Sequence, residues 1–422
     1  MSGVRRDLTK LERLVGEALI VAKWDKDGNP SWDALGFSLR HPWLAEEIMS
    51  LSCAKGELAR LKSSKHRALV ENVLKLLRKS GKSDATSIVD AIKHELEVVA
   101  KEPICRYSVV FPLGFSPGPA GRISKKFRID DHNVLLLDVH HFLRRYLPKR
   151  TEGGRKVADT RSLENAGFDW NWVFLNNPAF VVCEAYARDS RQVVLEAAGI
   201  LDLFLAAADL STGFTLLERY PLSNYPNPTL CLIFKNRYEA PHVRGRCAFR
   251  DLLSPFAFNI ASFSRVVRVL NSLRGKDVWP VVKASLRAYR KAMYQLNPED
   301  SLVHFWTACE IIVSLGQKVT HQDAEKLMAR IFENTWYEYS FQVQTFLNLR
   351  NKTLHAAVYD AKWHDVFFGH FAFRSLITLL MRLSRRGEDL KSIRQIFEAG
   401  KLTKEQREAT LKALRELTRK RT

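Results

Sequence analysis

The hydrophobic period changes twice along these 422 residues, and that change narrows the possible folds most. Over about residues 5–100, LERLVGEALIVAKW, HPWLAEEIMSL, HRALVENVLKLLRKS and SIVDAIKHELEVVAKE carry apolar side chains at three- and four-residue steps. That is the period of an amphipathic helix. Between about 104 and 245, RYSVVFPLGF, FRIDDHNVLLLDV, AFVVCEAYA and TLCLIFKNRY show continuous or alternating apolar runs bounded by Pro and Gly, the pattern of strands. RQVVLEAAGILDLFLAAADL reads as a buried helix among them. From about residue 255 the helical period returns. The expected fold is mainly α with a mixed α+β middle domain and a C-terminal four-helix bundle. Its parts are a helical N-terminal region (1–100), the α+β domain (101–254), the bundle (255–386) and a basic helical extension (387–422).

Turn and cap residues punctuate this plan. DKDGNP at 25–30 predicts a turn, and Ser, Gly and Lys gather in a break at 79–84. The Gly-, Arg- and Lys-rich stretch 149–169 reads as a loop. NIASFSRVVRVLNSL and VWPVVKASLRAYRKAMYQL are helices separated at Gly275. Asn297 is an N-cap, with Pro298 at the first helical position and Glu299 and Asp300 in the first turn. SLVHFWTACEIIVSLG is then closed by Gly316. One helix or a pair covers 323–355, and a long one covers 363–386. A helical hairpin turning at Gly400 follows, with Thr403 and Gln406 spaced as a capping box.

Charge points to a class of partner. Lys and Arg number 66 against 46 Asp and Glu, a formal net charge of +20. Such a surplus concentrates polyanions, nucleic acid before anionic membrane. With 46% hydrophobic and 27% charged residues the chain has enough apolar material for a buried core. The most apolar stretches, 193–210 and 367–383, are broken by Glu196 and Asp202, and by His370, Arg374 and Arg382, so they read as core helices rather than membrane spans. The N-terminus lacks the apolar run of a secretory signal, and six scattered cysteines form no CxxC pair. A cytoplasmic protein without structural zinc or disulfides is expected.

The segment FLNLRNKTLHA, 346–356, carries the chemistry. Arg350, Asn351 and His355 sit there as R-N-x-x-x-H on a predicted helix. RNA can be cut without a metal when its own 2′-hydroxyl attacks the neighbouring phosphate, which requires a base, an acid and stabilisation of the phosphoryl group. Histidine serves as base or acid near neutral pH. Arginine offers a fixed fork of donors to a phosphoryl oxygen. Asn351 and His355, four apart, share a helical face. Arg350 and His355, five apart, are rotated by roughly 140° on an ideal helix. Either the helix ends or distorts near Thr353, or a second copy completes the site.

The R-N-x-x-x-H motif, together with the preceding FWTACEIIVSLG helix, resembles the HEPN superfamily over about residues 276–386, with the ApeA-like branch as a candidate subgroup. Glu310 matches the acidic position of that family's preceding helix. The resemblance implies a metal-independent endoribonuclease, with Arg350 on the scissile phosphate, His355 as base or acid, Asn351 positioning one of them and Glu310 in support. It also implies a homodimer with the motifs facing each other, no cofactor and no metal. RNA, transfer RNA among it, would be the substrate, in anti-phage defence or a toxin-like role. The resemblance does not reach the first 275 residues, which would grip the substrate or sense a trigger.

Other constellations carry less. Arg60 and His66 fit the same loose spacing without the flanking helices, and read as a solvated helix face. His140 and His141 are adjacent, so their side chains diverge and packing is favoured over a metal. PLGFSPGPAGR and TEGGRK lack the order of a phosphate-binding loop. The aromatics of ENTWYEYSF read as packing, with base stacking as the alternative. Residues 382–422 hold 13 Lys or Arg against six Asp or Glu, either an RNA-tracking surface or a solvated face. The plain alternative for 350–355 is a capped helix end with Arg350 on the surface. The competing function is a non-catalytic RNA-binding or dimerisation module. Membrane-surface association lacks an aromatic-basic anchor.

Overall fold

The computed structural model describes residues 12–13, 15–16, 19, 23–24, 30–31, 54–113, 115–116, 124–147, 149–152, 155–158, 179–212, 231–235, 242–244, 256–257, 259–295, 297–335, 340–355 and 361–399. The chain is mainly helical with a small, largely antiparallel sheet, and it divides into two compact units. One comprises 1–107 with 185–196, the other 108–184 with 197–422. The expected divisions near 254 and 386 therefore fall inside the second unit.

In the first unit, Lys23–Trp24 (β1) and Pro30–Ser31 (β2) pair antiparallel across the DKDGNP stretch. The helix expected through Trp24 thus gives way to a strand at Lys23, where a two-residue ladder outweighs the helical period. Three helices follow, Ala54–Arg60 (α1), His66–Ser80 (α2) and Ala85–Lys101 (α3). The break between α2 and α3 is chemical. Gly81 adopts φ 66°, a left-handed C-cap that costs a residue without Cβ little, and the Asp84 carboxylate accepts from the Ser87 amide as N-cap. Val70, Val73, Leu74 and Leu77 of α2 pack with Ile88 and Ile92 of α3. Lys62 (φ 55°) ends α1, so Arg60 and His66 stand on different helices, and Arg60 is an exposed partner of Glu57. Asp189 clasps the same turn, accepting from Ser64 N (2.8 Å) and Ser64 Oγ (2.6 Å).

The second unit holds most of a six-stranded sheet. Its members are Cys105–Leu113 (β3), Ser124–Ile129 (β5), His132–Leu137 (β6), Ala179–Ala187 (β9), Cys231–Phe234 (β10) and His242–Arg244 (β11), in the order β11-β10-β3-β9-β6-β5. Phe115–Ser116 (β4) and Phe256–Ala257 (β12) pair separately and in parallel. The β5–β6 connection is the two residues Asp130 and Asp131, both at positive φ (47° and 70°), the backbone that lets a two-residue hairpin follow the strand twist. Val139–Tyr146 (α4) follows β6. Asp138 caps it, accepting from His141 N (2.9 Å) and binding His141 Nδ1 (2.7 Å). The Asp138 carboxylate stands three residues before His141, and its task is the cap. Lys149–Glu152 (β7) and Arg155–Ala158 (β8) form a hairpin where a loop was expected. The rest of that stretch, the ENTWYEYSF aromatics beyond Thr335 and before Ser340, and residues 400–422 with the basic tail and capping box, lie outside the described residues.

The further described helices are Ser190–Thr212 (α5, in the first unit through Glu196), Ile260–Leu273 (α6), Trp279–Tyr294 (α7), Pro298–Ser314 (α8), His321–Thr335 (α9), Ser340–His355 (α10) and Trp363–Arg385 (α11). Leu390–Ala399 (α12) follows against α11. Phe127 of β5 meets Phe263 of α6 edge-on at 4.8 Å, and Phe204 of α5 closes an aromatic triangle. Arg290 of α7 forms a fully buried ion pair with Asp209 of α5 at 2.5 Å. A buried charge pair is costly to desolvate and is tolerated only with close partners. Helix α7 lies along α8, α8 against α11, and α9 and α10 against α8. Helix α11 is long and apolar enough to cross a membrane by composition, yet more than half of that stretch is buried, and Arg374 at its middle donates to the Asp209 and Leu210 carbonyls. It is a core helix of this unit.

Candidate functional site

The site is built by α8, α9 and α10. Asn297 caps α8, its side chain accepting from Glu299 N (2.8 Å), with Pro298 at the first position as its sequence predicts. Glu299 then accepts from Ala361 N (2.8 Å), which ties the entry of α11 to α8. Phe305, Trp306, Cys309 and Ile312 form the buried stripe of α8. Gly369 lets α11 approach closely, since a Cβ there would stand 2.9 Å from both Phe305 Cβ and Phe346 Cε2.

On α10 the buried stripe runs Val343, Phe346, Leu347 and Arg350, with Leu349 buried beside it. Arg350 thus occupies the next slot of an apolar stripe, at 6% exposure. The alternative of a surface arginine fails here. Its guanidinium carbon lies 4.7 Å from the Trp306 ring centroid, a cation–π contact strengthened by exclusion of water. Nη1 donates to Asn351 Oδ1 (2.6 Å), and Asn351 Nδ2 donates to Glu325 Oε1 of α9 (3.1 Å). The Nε hydrogen is buried without a hydrogen-bond acceptor. Burial lowers the Arg350 pKa, while Glu325 and Glu310 act in the opposite sense. A guanidinium starts so high that it remains a cation near neutrality. Glu310, on the face of α8 that Trp306 shares four residues earlier, binds His321 Nδ1 at 2.8 Å.

The chain matches no protein-family model, no curated protein and no solved structure.

Of the four residues singled out in the sequence, Arg350 and Asn351 are hydrogen-bonded to each other, and Glu310 favours the cationic form of Arg350. His355 closes α10, and its side chain lies outside the described residues. Helix α10 runs unbroken through Thr353 to His355, so a break near Thr353 does not relieve the roughly 140° between the Arg350 and His355 positions. Three participants escaped the sequence reading: Trp306, His321 and Glu325. Trp306 and Glu310 are four apart, as are His321 and Glu325, so each pair presents one helical face. That spacing was the available signal, and only packing showed that Trp306 meets Arg350 and that Glu325 meets Asn351.

Proposed function

We propose that this protein is a metal-independent endoribonuclease with a HEPN-type site in α8–α11. The buried cation Arg350, held over Trp306 and fixed by Asn351 and Glu325, is the observation that carries this reading. A guanidinium with an unused buried donor, one turn and a half before a histidine on the same helix, suits recognition of a scissile phosphate beside a proton-transfer group. In this reading Arg350 binds the phosphate, His355 transfers a proton, and Asn351 is a positioning residue acting on Arg350. Two copies would bring Arg350 and His355 together across a two-fold axis. The net charge of +20 supports RNA as the substrate, transfer RNA among the structured targets. The first unit would grip RNA or sense a trigger, in a cytoplasmic defence or toxin-like setting.

A second reading has its own observation. Arg350 is almost wholly buried beside two carboxylates, as a structural cation would be. The bundle would then dock or dimerise on RNA without cutting it.

The test is incubation of purified protein with total transfer RNA in EDTA, wild type beside His355→Ala and Arg350→Ala. Cleavage by wild type alone, leaving 2′,3′-cyclic phosphate ends, supports the nuclease. Salt-sensitive binding by all three without cleavage leaves the docking module or a nuclease that waits for its trigger.

A further inference from the structure

The outer face of α6 carries cations that the fold leaves unneutralised. Helix α6 runs alongside β5, held at three points. Phe263 meets Phe127 at 4.8 Å, the Asn271 side-chain amide donates to the Arg128 carbonyl (2.8 Å), and Arg274 pairs with Asp131. Phe263, Val267 and Leu270 form the buried side of the helix. The opposite stripe is Ala261, Arg265, Arg268 and Ser272, all exposed, and α6 contains no acidic residue. Arg265 and Arg268, three apart, are neighbours on that surface. Strand β5 adds Lys125 and Lys126, both exposed. By alternation Lys125 shares the face of Phe127, which α6 covers, and Lys126 lies on the other face of a strand that ends the sheet. Among the described residues, no carboxylate pairs with any of these four cations. The hairpin tip differs: there Arg128 and Arg274 meet Asp131, and Lys283 meets Asp130.

Resting on RNA as the substrate, we propose that this face of α6 and β5 docks the RNA phosphate backbone, through Arg265, Arg268, Lys125 and Lys126. Arginines without a carboxylate partner offer forked donors to phosphate oxygens, and each phosphate contact releases counterions. Lysines on an edge strand alone would only discourage strand pairing. The arginine stripe on a separate element is what turns the charge into a surface. A membrane is the poorer match, because a helix lying on lipid presents large apolar anchors beside its cations. Among the described residues the exposed large apolar side chains are Val98, Ile104, Tyr186, Leu195 and Ile396, and none lies on α6 or β5. The surface belongs to the same unit as α8–α11, so RNA held on it is held by the unit that carries Arg350.

The experiment measures binding of total transfer RNA over a range of salt concentrations, with Tm for each protein. The full-length parent carries His355→Ala so that the RNA stays intact. On it are placed Arg265→Gln/Arg268→Gln, the same pair with Lys125→Gln/Lys126→Gln, and Arg265→Lys/Arg268→Lys. Lys79→Gln/Lys82→Gln, at the exposed turn after α2, removes equal charge elsewhere. The inference expects the double arginine variant to bind about tenfold or more weakly, with the slope of log affinity against log salt reduced by about two. The fourfold variant should lose about four from that slope, and Tm should not move. Arg265→Lys/Arg268→Lys, which keeps the charge, should keep the slope. If Arg265→Gln/Arg268→Gln binds with the parent's slope, or if Lys79→Gln/Lys82→Gln loses as much, the inference falls and the RNA reading stands. If the fourfold variant loses binding to phosphatidylserine vesicles and not to RNA, the surface is a membrane contact and the inference falls. If the parent binds no RNA, the RNA reading falls and takes the inference with it.

Discussion

Arg350 donates to the side-chain oxygen of Asn351 at 2.6 Å, although neighbouring positions on a helix leave its axis about 100° apart. The contact closes a chain from Arg350 through Asn351 to Glu325 on α9, and it sets the guanidinium over Trp306. Adjacent residues of the motif therefore act as one unit, the asparagine placing the arginine.

Replacing Asn351 by Ala removes the acceptor from a buried charged donor, a contact worth about 1.5–3 kcal/mol. The expected result is a fall of about 10- to 100-fold in RNA cleavage, with Tm reduced less than in Arg350→Ala. Single-turnover kinetics and thermal melts on the two variants check this. An Asn351→Ala protein as active as wild type would remove Asn351 from the site.

Gly369→Ala should destabilise, against the usual gain from replacing a helical glycine. The intrinsic gain is about 1 kcal/mol. The added Cβ would meet Phe305 Cβ and Phe346 Cε2 at 2.9 Å, and overpacking of this kind costs about 1–3 kcal/mol. Helix α11 must then move off α8 and α10. Urea denaturation of wild type and variant measures the difference, and because α8 and α10 carry the site, cleavage should fall with it.

His370 predicts an acid-side loss of stability. It is fully buried, its Nε2 pairs with the Tyr289 hydroxyl at 3.1 Å, and burial, assisted by Arg374, pushes its pKa down to about 3. The unfolded chain takes up a proton near pH 6.5 and the folded chain does not, so stability rises with pH between about 3 and 6.5. The slope from this group approaches about 1.4 kcal/mol per pH unit. Denaturant melts from pH 5 to 7.5 should show it, and His370→Gln, which keeps an amide for Tyr289, should flatten it.

The β5–β6 turn offers a test remote from the site. Asp130 receives the Trp279 indole N–H at 3.1 Å and forms an ion pair with Lys283, both on α7. Burial raises the Asp130 pKa, but Lys283 and the indole override it and leave the carboxyl below its usual range. Asp130→Ala leaves those donors unpaired and places an alanine at φ 47°, so a loss of about 1–3 kcal/mol is expected at pH 7. Asp130→Gly relieves the backbone but not the lost partners, and should fall between wild type and Asp130→Ala in Tm.

Much of the fold could be read without coordinates, because it rests on local signals. Helix α2 has the bounds of its amphipathic run, β9 is the AFVVCEAYA strand, and α8 begins at Asn297-Pro298 as capping chemistry requires. Signals failed where a few polar residues had two uses. Lys23–Trp24 pairs as a strand instead of ending a helix, and Lys149–Glu152 pairs with Arg155–Ala158 where a loop was expected.

The candidate site divides in the same way. Sequence determined that Arg350, Asn351 and His355 lie on one helix, and that Glu310 lies on an earlier one, since spacing along a chain sets relative position within an element. Only the tertiary structure decided that Arg350 is buried over Trp306, that Glu325 reaches Asn351, and that Glu310 holds His321. Those contacts join residues 26 or more positions apart in two cases, as with Asn351 and Glu325, and depend on how α8, α9 and α10 pack. Packing selects one arrangement from the many that the same helical faces permit, through the summed burial of Phe305, Phe346 and their neighbours around Gly369.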